Sequence, residues 1–108
     1  SIPVHVGGDT DAAISRAIRL ADGYFPGESD PERLAALLGR LRAAAEAAGR
    51  DPDSIIVNSM FGMQHLGDPL AGIERLREIG VGRIMVPAFF FAGPDGMDRM
   101  QAFAEQVI

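Results

Sequence analysis

Along this chain the spacing of apolar residues switches repeatedly between a period of two and a period near 3.6. Ile2, Val4 and Val6 alternate with Pro3, His5 and Gly7, which predicts a strand over 2–6. Ile14, Ala17, Ile18 and Ala21 recur at helical spacing and predict a helix over 10–22, with Gly23 as its C-terminal glycine. Tyr24 and Phe25 form a very short second strand, stopped by Pro26-Gly27. Ser29-Asp30-Pro31-Glu32 then signals a helix start: Ser29 and Glu32 stand at capping-box spacing, and Pro31 suits a first turn. That helix runs over about 30–48, with Leu34, Leu37, Leu38, Leu41, Ala45 and Ala48 as its buried stripe and Arg40, Arg42 and Glu46 on a solvated face. Gly49 closes it, and Arg50-Asp51-Pro52-Asp53 turns the chain.

A third strand is predicted over 54–60, where Ile55-Ile56-Val57 is a continuous apolar run of the kind covered on both faces. A loop follows over 61–67. Asp68-Pro69 opens a third helix, with Leu70, Ile73, Leu76 and Ile79 toward the core and Gly80 as its stop. A fourth strand lies within 83–89, centred on Ile84-Met85-Val86. A fourth helix covers 96–107, with Met97, Met100, Phe103, Ala104 and Val107 on one face.

Strand and helix thus alternate four times, which implies right-handed βαβ units and a parallel sheet in an α/β fold. A flavodoxin-like sheet has five strands, and a full (β/α)8 barrel takes about 250 residues. Four consecutive units with a weak second strand fit half of a TIM barrel best, as one domain over 1–108.

Composition narrows the chemistry. With 108 residues, 47% of them hydrophobic, the chain can bury a core. It has no cysteine, so neither a disulfide framework nor a thiolate site is available. Its ten basic residues are all arginine, which excludes Schiff-base chemistry and a Walker-type lysine. His5 and His65 lie far apart in sequence, against a dedicated zinc site. A net charge of −5 argues against nucleic acid or an anionic membrane as the main partner. No apolar run is long enough to span a membrane and no signal-peptide layout is present, so a cytoplasmic location is expected. Ser1 stands directly before a strand with no initiator Met, as in a piece cut from something longer.

The candidate site is Gly7-Gly8-Asp9-Thr10, between the first strand and the first helix. Gly7 and Gly8 permit unusual backbone angles and close approach of a ligand. Thr10 suits the N-cap, with Asp11 in the first turn. A helix N-terminus offers unpaired N–H groups and partial positive charge, so it can hold a phosphate. A tight strand-to-helix turn and a phosphate cradle explain the glycine pair equally well. Elsewhere, His5 reads as structural or as pointing toward a substrate, and His65 as a surface-loop residue or an active-site one. Asp95 and Asp98 are helix-start residues. Phe89, Phe90 and Phe91 either wall an apolar pocket or pack the core, and Met60, Met63 and Met85 fill core or pocket. No acid–base pair, activated nucleophile or metal cluster is recognisable.

Four stretches together resemble the bacterial luciferase-like oxidoreductases, which are (β/α)8 barrels using FMN or F420. Ile2-Pro3-Val4-His5-Val6-Gly7-Gly8, followed by Ala12-Ala13 and Arg16-Ala17, is similar to that family's strand five, glycine pair and following helix. Leu20-Ala21-Asp22-Gly23-Tyr24-Phe25 resembles the segment where the family often has Asp-Gly-Trp. Ala47-Ala48-Gly49-Arg50-Asp51-Pro52 resembles its Ala-Gly-Arg-Asp-Pro turn, and Ile79-Gly80-Val81-Gly82-Arg83-Ile84 its entry to strand eight. The resemblance implies the C-terminal half-barrel, units five to eight, with the cofactor-phosphate site at Gly7 and Gly8 helped by Asp9 and Thr10. Asp9 stands where the family more often has a neutral or basic residue, and Tyr24 where it has Trp. The lysine-free, GC-rich type of composition favours an F420-using lineage.

The resulting expectation is a fragment of an FMN- or F420-dependent oxidoreductase or monooxygenase acting on a small organic substrate and inactive by itself. Two alternatives stand beside it. One is a non-catalytic half-barrel that self-associates through its open edges and apolar inner face as a homodimer or higher oligomer. The other is a small open-sheet domain binding a phosphorylated ligand.

Overall fold

The computed structural model describes residues 1–62, 65 and 67–107. Four strands and four α-helices alternate: β1 (His5–Gly7), α1 (Asp11–Leu20), β2 (Gly23–Phe25), α2 (Pro31–Ala47), β3 (Ile56–Met60), α3 (Pro69–Glu78), β4 (Arg83–Met85) and α4 (Gly96–Val107). The strands pair in the order β1-β2-β3-β4, all parallel. This consecutive order has no switch point of the kind that defines a doubly wound sheet. Right-handed crossovers that all advance in one direction put the helices on one face and leave the other free of them.

The register sorts the side chains. Val6, Tyr24 and Val57 are neighbours across β1, β2 and β3, and Ser59 faces Ile84. This face meets the core built by Ile14, Ala17 and Ile18 of α1, Leu34, Leu37, Leu38 and Leu41 of α2, and Leu76 of α3. The opposite, helix-free face carries His5, Gly7, Gly23, Ile56, Asn58 and Met85. Ile55 and Val57 are buried, yet Ile56 is 38% exposed. The predicted two-sided burial of that run is therefore corrected: in this chain only one face of the sheet is covered.

Several boundaries differ from the sequence expectation. β1 sits later than 2–6, because its ladder to β2 starts at His5. Gly23 does not end α1. Ala21 is that helix's C-cap, and Gly23 is the first residue of β2. Asp30, not Ser29, caps α2, accepting from the Arg33 N–H at 3.1 Å, while Glu28 accepts from the Asp30 N–H. Ala48 lies at the C-cap of α2 and is exposed. Leu70 is exposed at the start of α3. β4 ends at Met85, and Phe89 belongs to a 3-10 turn over Ala88–Phe91. α4 has the expected bounds but buries only Gly96 among its described residues, and Met97 is 76% exposed.

Gly49 and Gly80 stop their helices with φ of +77° and +108°. Arg50, read from sequence as a turn residue, reaches back to α1: its guanidinium donates to the carbonyls of Ala17, Ile18 and Ala21 at 3.2, 2.8 and 2.7 Å. Those carbonyls lie at a helix C-terminus, where partial negative charge favours a cation. Among the described residues no helix is long and apolar enough to cross a membrane.

Candidate functional site

The C-terminal ends of β1 and β2 and the first turn of α1 meet at Gly7-Gly8-Asp9-Thr10. Gly8 has φ of +116°, and a Cβ there would lie 2.9 Å from Cβ of Ala13. A Cβ on Gly7 would lie 3.2 Å from the Phe25 carbonyl oxygen. Gly8 is thus required by the turn itself, which bends β1 into α1, and Gly7 fits closely against β2. The Gly8 N–H donates to the Phe25 carbonyl at 3.3 Å. Thr10 is the N-cap, its hydroxyl accepting from the Ala13 N–H at 3.1 Å, as its position predicts. The N–H groups at the start of α1 belong to the turn that has no intrahelical acceptors.

Tyr24 supports this turn from the core. Its side chain is fully buried, and its hydroxyl donates to the Gly8 carbonyl at 2.6 Å. Burial, with the Asp9 carboxylate nearby, pushes the phenol up to about 12 against a smaller opposite effect of Arg40. The hydroxyl therefore remains a donor at neutral pH.

Asp9 has the wrong charge for an anion pocket, but its carboxylate is engaged elsewhere. It accepts from the Gly27 N–H at 2.7 Å, tying the loop after β1 to the loop after β2. The neighbouring acids are engaged too: Asp11 pairs with Arg40, and Glu28 with Arg33 at 3.4 Å. The turn therefore presents glycine backbone and a helix N-terminus, with Asp11 and Glu28 paired to arginines and the Asp9 carboxylate held by a backbone N–H. Asp9 and Thr10 serve here as loop tie and helix cap.

Three further groups flank the site. His5 lies on the helix-free face with Nδ1 2.8 Å from Nδ2 of Asn58. Asn58, which sequence reading passed over, is buried in β3 beside the buried Ser59, and that polar pair within an apolar run was its available signal. His65 is no surface residue: it is 6% exposed, its ring lies tilted against Phe61 at 5.1 Å, and among the described residues its Nε2 has no hydrogen-bond partner. Burial pushes its pKa down from the ordinary histidine value. Phe61, Phe90, Phe91 and Phe103 help line a cavity of about 240 Å3 under α4, whereas Phe89 is exposed. Of the three methionines, Met60 is half-buried and Met85 is 51% exposed on the helix-free face, and Met63 lies outside the described residues. Among the described residues no cluster of His, Asp and Glu side chains is arranged to hold a metal ion.

A singly wound parallel arc with a glycine turn at the strand C-termini defines a segment of a (β/α)-barrel, the class of fold that keeps its chemistry at that end. The sequence profile of the luciferase-like monooxygenases matches residues 1–78, and the chain belongs to that family. Uncharacterized proteins of Mycobacterium bovis and Mycobacterium tuberculosis are each 36% identical to it over 116 residues, the match covering 99% of this chain and 38% of the relative. The chain thus spans well under half the length of these relatives. Its fold matches the coenzyme F420-dependent tetrahydromethanopterin reductase from Methanopyrus kandleri with a TM-score of 0.65 at 16% identity, covering 98% of this chain and 49% of that one.

Proposed function

We propose that this chain is the cofactor-phosphate half, units five to eight, of a luciferase-like oxidoreductase that works in the cytoplasm with FMN or F420 on a small organic substrate. The observation that carries the reading is the Gly7-Gly8 turn at the start of α1, standing at the C-terminal edge of a consecutive parallel arc. The family membership and the F420-dependent structural neighbour support the cofactor class. When bound, such a cofactor supplies the hydride chemistry, and the protein supplies binding and orientation. Here the remaining N–H groups at the start of α1 hold the phosphate, Thr10 caps the helix through the Ala13 N–H, and Tyr24 fixes the Gly8 carbonyl.

The reading is tested by titrating the purified chain with FMN and, separately, with F420, followed by fluorescence. Micromolar binding that Gly8→Asp abolishes, with the circular dichroism of the fold retained, is the expected result. No binding of either cofactor counts against it.

Ile56 and Met85 favour a second statement about the isolated chain: we propose that it self-associates through the helix-free face and is not catalytic alone. Both are large, apolar and at least 38% exposed there. The open-sheet alternative has less to support it, because the strand order offers no switch point at which a ligand would sit.

A further inference from the structure

Three strands converge on one imidazole. His5 of β1 reaches sideways over β2 to Asn58 of β3, with Nδ1 and the amide nitrogen 2.8 Å apart. The strand between them offers Gly23, the register partner of His5. A Cβ on Gly23 would fall 2.6 Å from ring atoms of His5, so no other residue leaves the ring its place. A glycine inside a strand weakens it and marks close approach of another group.

Asn58 is 4% exposed, and its amide nitrogen also lies 3.2 Å from the Tyr24 carbonyl. That second contact decides which end of the amide is the NH2 group. The amide therefore donates to Nδ1, and the neutral ring carries its proton on Nε2. Gly7 is the next residue of β1 on the same face, about 7 Å along the strand, and it has no side chain. Along this face of β1 no side chain therefore stands between the Gly7-Gly8 turn and His5, and Phe25, the register partner of Gly7, flanks that stretch.

We infer that the Nε2–H of His5 hydrogen-bonds a carbonyl oxygen or ring nitrogen of the phosphate-bearing ligand held at Gly7-Gly8, with Asn58 as the positioning residue that sets the tautomer. This rests on the phosphate site proposed above. It adds a polar contact deeper on the inner face and makes Gly23 the gap through which the His5–Asn58 bond passes.

The test uses the 15N-labelled chain and two-bond proton–nitrogen spectra, which show which ring nitrogen carries the proton. The probes are FMN, F420 and inorganic phosphate. Unliganded His5 is expected as the Nε2–H tautomer. FMN or F420 should move both the Gly8 amide and His5 Nε2, whereas inorganic phosphate should move Gly8 alone. His5→Phe should weaken the cofactor that binds about tenfold, the effect of one hydrogen bond, and leave inorganic phosphate unaffected. Asn58→Asp cannot donate to Nδ1, so it should transfer the proton to that nitrogen and weaken the same cofactor. If Gly8 moves with cofactor and His5 does not, or if His5→Phe binds like the parent, His5–Asn58 is a structural clamp and the phosphate site stands without it. If neither group moves with any probe, the phosphate site fails and this inference falls with it. The spectra of the unsubstituted chain decide these cases even where a variant does not fold.

Discussion

One side chain with no apparent chemistry, Tyr24, holds the candidate site in shape. Tyr24 is the one tyrosine of a chain without lysine, so few other groups titrate between pH 10 and 12. In the unfolded chain a tyrosine ionises near 10, whereas in the fold Tyr24 keeps its proton up to about 12. Stability present below pH 10 should therefore be lost as pH rises through 12, with tyrosinate absorbance reporting the ionisation. Tyr24→Phe should remove that dependence and cost about 1–2 kcal/mol at neutral pH, because the Gly8 carbonyl loses its donor; urea unfolding at the two pH values checks both. Arg50→Ala should cost roughly 2 kcal/mol by leaving the last carbonyls of α1 without their cation. His65 acts with the opposite sign. Its pKa is lowered by burial, so the unfolded chain takes up the proton first, and stability should fall as pH drops below about 6.5. His65→Leu should flatten that part of the curve.

At the scale of elements, caps and stops decide where each helix lies. Thr10, Asp30 and Asp68 each accept a backbone N–H of the first turn, and Gly49 and Gly80 supply the left-handed residue after the last. One substitution should therefore have opposite signs at two places on or beside α2. Gly39→Ala, on the exposed side of the helix with open space around its Cβ, should stabilise by roughly 0.5–1 kcal/mol. Gly49→Ala, also in open space but at φ +77°, should destabilise by about 1 kcal/mol through backbone strain alone. Thermal unfolding of the pair is a direct comparison. α4 is the least anchored of the four helices, with only Gly96 buried among its described residues. Its amides should exchange with solvent sooner than those of α2, which buries five side chains.

The molecule as a whole is an arc rather than a closed shell. Its radius of gyration is 15.1 Å and its extents are 48 × 32 × 22 Å, against roughly 13 Å for a compact chain of this length. β1 and β4 are the edges of the parallel sheet, and Ile56 and Met85 stand exposed on the face without helices. Unpaired edges beside an apolar face favour pairing with another copy. Sedimentation at micromolar concentration should show a dimer or larger species. Ile56→Glu should shift it toward monomer with little loss of secondary structure, because that side chain lies outside the core. A monomeric parent chain would contradict the proposal.

Period and punctuation in the sequence determined the alternation of elements, the leucine stripe of α2, the Thr10 and Asp68 caps and the stops at Gly49 and Gly80. These features depend on contacts within a few residues, and local spacing records such contacts directly. The glycine pair and its helix start were legible for the same reason. What the sequence left undecided depends on which strand lies beside which. Only the tertiary structure placed Gly23 beneath the ring of His5, joined that ring to Asn58 across 53 positions, and carried Arg50 to the end of α1. It also buried His65 and left Ile56 exposed, because burial depends on what covers a face, and the covering atoms of one residue come from elements distant along the chain.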